Sequence, residues 1–173
     1  MPFTPLHMGP GLLVKSLLQG SFSLMVFAWT QILMDIQPLW VMLTGQGHLH
    51  GFSHTYLGAT LITIPAAVSG KYAAQWGLRR ISRTSYLPIS WPVAVSSAFI
   101  GSFSHVLLDS IMHADVEPFF PFVRSNVFLG VLSIETLHKF CIYSGLVGAG
   151  LYVAVSFYLR KNISEPPQAD KTT

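Results

Sequence analysis

Two stretches of this 173-residue chain set imidazoles and carboxylates one helical turn apart. His50-Gly51-Phe52-Ser53-His54 holds two histidines four residues apart. In the run from Ser104 to His113, positions His105, Asp109 and His113 recur every four residues. Residues at i and i+4 share one face of a helix, so the second set forms a single stripe. Neutral imidazole nitrogen and carboxylate oxygen are natural ligands for divalent zinc, manganese or iron, with zinc first in order of expectation. Asp35 ends a further apolar stretch. Ligands from three separate segments are therefore expected to close a site around one or more metal ions.

The wider distribution sharpens this. His7, Asp35, His48, His50, His54, His105, Asp109, His113 and Asp115 all fall at one end of the apolar stretches, with His138 further on. Ionisable groups in or beside membrane segments are costly and usually mark function. Each also has a plain reading. His48 and His50 suit an interfacial loop, Asp35 a helix end, and His113 with Asp115 a solvated helix exit. His105 and Asp109 suit a hydrogen-bonded pair inside a helix. Glu135 and His138 form a Glu-x-x-His step of the kind used in di-metal bundles, in a single copy.

The elements that must position these groups are apolar helices. Half of the chain (51%) is hydrophobic, only 10% is charged, and the mean hydropathy is +0.51. Soluble domains carry about 25% charged residues, so lipid must cover much of this surface. The expected fold is all-α: a polytopic membrane bundle of about five membrane helices in one domain, residues 1–160, with a disordered cytoplasmic tail at 161–173. Five apolar stretches carry it, at 11–18, 22–34, 55–70, 92–112 and 140–159. A bilayer core of about 30 Å needs roughly 20 helical residues. The last two stretches meet that requirement and the third nearly does. The first two form either one long span or a hairpin turning near Gly20. Residues 126–136 read as an interfacial helix or an extension of the last span.

Lys71, Arg79, Arg80 and Arg83 lie in the 71–91 connection, and Arg160 with Lys161 at the far end. The 35–54 and 109–122 segments contain no Lys or Arg. Cytoplasmic loops hold the excess of Lys and Arg, which orients the 71–91 connection and the C-terminus inward and the histidines outward. The start, MPFTPLHMGPG, lacks the cationic and small-residue features of a signal peptide. Cys141 is the single cysteine, so no internal disulfide is expected. No basic patch interleaved with aromatics suggests a nucleic-acid partner.

Taken together, Thr4-Pro5-Leu6-His7, Met34-Asp35-Ile36-Gln37-Pro38, His50 to Thr55, Ser104 to Asp109 and Pro118-Phe119-Phe120-Pro121 resemble the predicted inner-membrane metal-dependent hydrolases, a family loosely similar to the zinc-dependent phospholipases C. The resemblance reaches to about Phe122. It implies a membrane location and the metal ligands His7, Asp35, His50, His54, His105 and Asp109. One position departs: Gln37 stands where the family has a second aspartate. An amide oxygen binds a divalent cation more weakly than a carboxylate, which points to a single ion or an inactive site. If His7 shares a site with Asp35, both must lie at one end of the bundle, and the hairpin is required.

The expected activity is hydrolysis of a phosphoester on a membrane lipid or lipid-linked substrate, received beside Phe119, Phe120 and Phe122 at the outer face of the inner membrane. His113 or Asp115 is the expected general base. Two alternatives stand beside it: a metal-binding or transport protein, which requires polar residues through the bundle, and a structural membrane protein with a vestigial site.

Overall fold

The computed structural model describes the backbone of residues 5–164 and the side chains of residues 5–159. All regular structure among them is helical: α1 (Met8–Leu18), α2 (Leu24–Met34), α3 (Ile36–Thr44), α4 (Tyr56–Arg80), α5 (Trp91–Met112) and α6 (Ile134–Ser164), with short 3-10 turns between. Of the tail expected at 161–173, residues 161–164 continue α6, and the remainder lies outside the described residues.

The first two stretches form a hairpin. The chain reverses at Gln19–Ser21, where Gln19 takes the left-handed region at φ 44°. Lys15 secures the turn by donating from Nζ to the Gln19 and Phe22 carbonyls at 2.6 and 2.7 Å. Its charge thus reaches the tip of the hairpin, one turn beyond its own backbone. Ser23 then caps α2 by accepting from Val26 N–H. The hairpin returns the chain to the end it came from, which brings His7 and Asp35 together.

α3 falls inside a segment read from the sequence as a loop. Pro38 occupies the third position of α3, where a missing N–H costs nothing. Asp35 is the only residue between α2 and α3, and Leu24–Thr44 together is long and apolar enough to cross a membrane. Trp91–Met112 and Ile134–Leu159 also qualify. α4 spans 25 residues but carries Lys71, Arg79 and Arg80 in its last turns, so most of the basic segment expected as a connection is helix.

Small residues draw the helices together, as lipid-solvated bundles require. α2, α4 and α5 share a core of Val26, Ala66, Ala67, Ala74, Ala94 and Ala98. α1 lies on α6, where a side chain on Gly148 would strike the Leu12–Leu13 backbone. The outward faces are apolar: Phe140, Leu146, Val153 and Phe157 of α6 are all exposed. Polar groups pair across the bundle: Trp29 Nε1 donates to Ser69 Oγ in a half-buried contact, and Thr63 Oγ1 bonds Ser102 Oγ in a buried one.

α4 and α5 are antiparallel and joined through residues 81–90, so the start of α4 and the end of α5 share the opposite end of the bundle. The histidines and aspartates gather there. Residues 126–133, expected as helix, form turns instead. Asn126 folds them back by donating from Nδ2 to the Ser110 and His113 carbonyls at 2.7 and 3.0 Å.

Candidate metal centre

Four segments bring ligands to one point. His7 ends the turn before α1, Asp35 joins α2 to α3, His54 ends the turn before α4, and His105 with Asp109 share a face of α5. All five are buried. His54 Nε2 lies 3.2 Å from both His105 Nε2 and Asp109 Oδ2. His105 Nε2 lies 3.3 Å from Asp109 Oδ2 and 3.4 Å from Asp35 Oδ1. His7 Nε2 faces Asp109 Oδ1 at 3.5 Å.

Ligand bonds of 2.0–2.1 Å in a tetrahedron give edges of about 3.3 Å, so the spacing fits a shared cation. The same separations suit charge-paired hydrogen bonds. Gly101 carbonyl can only accept, so Gln31 turns its amide N–H to it at 3.0 Å and presents Oε1 to His105 Nδ1 at 2.8 Å. His105 must therefore carry a proton on Nδ1, and it is Nε2 that turns towards the centre. Nε2 faces a second imidazole nitrogen and two carboxylates. Two carboxylates in a buried pocket require positive charge among them, which a bound cation or a second proton on His105 supplies. His7 Nε2 is buried with no hydrogen-bond partner among the described residues. Burial, and then the neighbouring His105, bring the His7 pKa down to about 4, which keeps the ring neutral and able to ligate. Asp35, His54, His105 and Asp109 form one group in which each residue offers a ligand atom within 4.8 Å of the others. The residues present fit a divalent cation.

The ring orientations are held from behind. Gln31 holds His105, and Ser53 Oγ bonds His54 Nδ1 at 2.9 Å. Asp115 accepts from His50 Nδ1 through both oxygens at 2.9 and 3.0 Å. Such partners fix the tautomer and aim of a ligating imidazole. Gln31 and Ser53 escaped the sequence reading. A glutamine four residues before Asp35 in an otherwise apolar helix was the available signal.

Gln37 takes no part in the ligand cluster. Its Oε1 accepts from Ser53 N–H at 2.9 Å, pinning the turn that carries His54, and its amide rests on Gly51, where any side chain would collide. Thr55 then caps α4, accepting from Gly58 N–H at 2.8 Å. His50 and His113 lie at the edge of the cluster with their rings stacked, centroids 4.3 Å apart. Burial lowers the His113 pKa. Burial would raise the Asp115 pKa, but hydrogen bonding from His50 outweighs that and lowers it. Glu135 pairs with Lys139 on the exposed start of α6 at 2.6 Å.

An apolar groove of about 300 Å³ lined by Tyr56, Leu57, Phe103, Phe119, Phe120 and Phe122 adjoins this end, where Tyr56 N–H meets the Pro118 carbonyl. A cavity of about 750 Å³, around Lys15, Arg83, Tyr86 and Tyr152, lies at the other end. Volume and candidate chemistry are thus at opposite ends of the bundle.

Residues 13–163 match the YdjM inner membrane protein family. The chain belongs to that family. Comparison with curated proteins and with solved structures gives no match. Membership in the YdjM inner membrane protein family agrees with the three apolar helices on an inner-membrane location. The YdjM description names a membrane, and no reaction, metal or substrate.

Proposed function

We propose that the protein is a membrane-embedded, metal-dependent hydrolase acting on a phosphoester of a lipid or lipid-linked substrate at the non-cytoplasmic face. The observation that carries this is the convergence of His54, His105, Asp35 and Asp109 with nitrogen and oxygen separations of 3.2–3.4 Å, beside the unpartnered Nε2 of His7. These residues would hold a divalent cation, zinc first among the candidates. A bound cation supplies Lewis acidity towards a phosphoryl oxygen and lowers the pKa of water towards about 7.

The chain's own groups do the rest. Gln31 and Ser53 keep the His105 and His54 rings in ligating orientation. His113, about half buried and neutral at pH 7, stands at the edge of the cluster to receive a proton when one ion is bound. Asp115, held on His50 with a depressed pKa, serves as a positioning residue, since a weakly basic carboxylate makes a poor proton acceptor. The groove around Phe119 and Phe122 offers an apolar bed for acyl chains, leaving the headgroup beside the histidines. The distribution of Lys and Arg supports a cytoplasmic C-terminus and an outward-facing site. Transport is the weaker reading, because the Val26, Ala66, Ala67, Ala94 and Ala98 core separates the cluster from the cavity at the other end.

The test uses purified full-length protein in lipid nanodiscs, with lipid phosphomonoesters and phosphodiesters as substrates and zinc or manganese supplied. Metal-dependent turnover in the wild type and its loss in His54→Ala and Asp109→Ala are expected. Equal activity in wild type and variants overturns the proposal.

A further inference from the structure

We propose that the centre holds a second divalent cation, between His50, His113 and Asp109, with Asp109 the carboxylate shared by both ions. This rests on the reading of the first cluster as a metal site and deepens it.

The starting observation is that these three residues also offer ligand atoms lying within 4.8 Å of one another. Asp109 belongs to both groups, and its two oxygens face different histidines. Oδ2 lies against His54 and His105, and Oδ1 against His7. Those three histidines all belong to the first cluster, and the second group adds His50 and His113 within reach of the same carboxylate, which is thereby placed to be shared by two cations. Paired catalytic ions typically sit about 3.5–4 Å apart, a separation that a bridging carboxylate accommodates.

His50 supplies the second observation. Both Asp115 oxygens contact Nδ1, and a carboxylate only accepts, so Nδ1 carries the proton and Nε2 is left with its lone pair. A carboxylate behind the ring is the arrangement that orients ligating histidines. The Asp115 side chain is 53% exposed whereas that of His50 is 5% exposed. A solvated acid therefore reaches inward to hold a buried ring, although an interfacial histidine would have no need of it. The His50 ring lies edge-on to His54 at 4.9 Å and stacks on His113 at 4.3 Å, with 24° between the planes. Imidazoles from the turn before α4 and from the residue after α5 are thus brought side by side next to a ligand of the first ion.

Gln37 does not count against this site. The substitution removes a carboxylate from a position committed to holding the Ser53 backbone, and none of the three proposed ligands depends on it. With only three protein ligands the second ion keeps open positions for oxygen atoms of a substrate, and His113 then acts as a ligand. Two adjacent cations suit a phosphoester, whose oxygens can meet both.

Elemental analysis of the purified full-length protein, equilibrated with manganese and freed of excess, tests the proposal. Electron paramagnetic resonance provides a second readout. The wild type is expected to retain two ions per chain with a magnetically coupled manganese signal. His50→Ala and His113→Ala are expected to retain one, with an uncoupled signal, and Asp115→Asn to weaken the second ion by about 10–100-fold. His113, at the edge of the cluster, provides a variant that stays folded if loss of buried His50 does not. One ion in the wild type, or two coupled ions in folded His113→Ala, overturns the second site and leaves the hydrolase reading standing. No ion in the wild type overturns both.

Discussion

Gln31 Oε1 accepts a hydrogen bond from His105 Nδ1 at 2.8 Å, and this bond sets which nitrogen of His105 faces the centre. Gln31→Leu removes it without touching a ligand. Metal affinity should fall about 10–100-fold while helicity is retained. Gln31→Glu keeps an acceptor for His105 but turns its second oxygen on the Gly101 carbonyl, so it should recover the affinity only in part. Competition titration with a zinc chelator reads both, and unchanged affinity in Gln31→Leu would remove the orienting role.

Asp109 stands against three histidines, so its charge should matter more than its shape. Asp109→Asn preserves the volume and removes the anion. Bound zinc should drop below detection by elemental analysis, with the elution profile of the folded protein unchanged. Zinc retained at the wild-type level would remove Asp109 from the ligand set.

Chelation should lower thermal stability. A ligand at 100 times its Kd adds about 2.7 kcal/mol to the folded state, and for a chain of this size that corresponds to a Tm shift of roughly 5–10 °C. A fluorescence melt in detergent, with and without chelator, measures it. The shift should vanish in His54→Ala, and an equal shift there would place the bound metal elsewhere.

Gln37→Ala should loosen the turn that bears His54. The lost bond to Ser53 N–H costs about 1 kcal/mol and should weaken metal binding as well. Gln37→Asp shortens the side chain, so it should not restore wild-type stability even though it brings back the family's aspartate. Equal melting temperatures for wild type and both variants would dismiss the pinning role.

Packing of the hairpin has its own check. Gly148→Leu drives a side chain into the α1 backbone and should destabilise the fold by about 1–3 kcal/mol. Gly150, with open space around it, should accept the same change within about 0.5 kcal/mol. Similar losses at both positions, measured by thermal melts, would argue against the close α1–α6 contact.

Much of the centre could be read along the chain because its ligands follow helical spacing. His105 and Asp109 are one turn apart on α5, whereas His7, and with it the choice of a hairpin over one long span, rested on the family resemblance. The helices positioned by tertiary context were harder. α3 was not among the apolar stretches, although Pro38 fits within its first turn, and residues 126–133 read as helix because their apolar run does not reveal that Asn126 ties them to the end of α5. Gln31 and Gln37 looked alike, an amide among apolar neighbours, and only their partners separate a ring holder from a loop pin.

Composition and periodicity by themselves determined a lipid-covered all-α bundle and identified which residue types would ligate, since both properties are local and repeat along one helix. The tertiary structure alone decided which nitrogen of each imidazole faces inward and that Asp109 touches two ligand groups. For His105 and His50 those facts depend on hydrogen-bond partners 74 and 65 residues away, Gln31 and Asp115, and no spacing within a single helix encodes them.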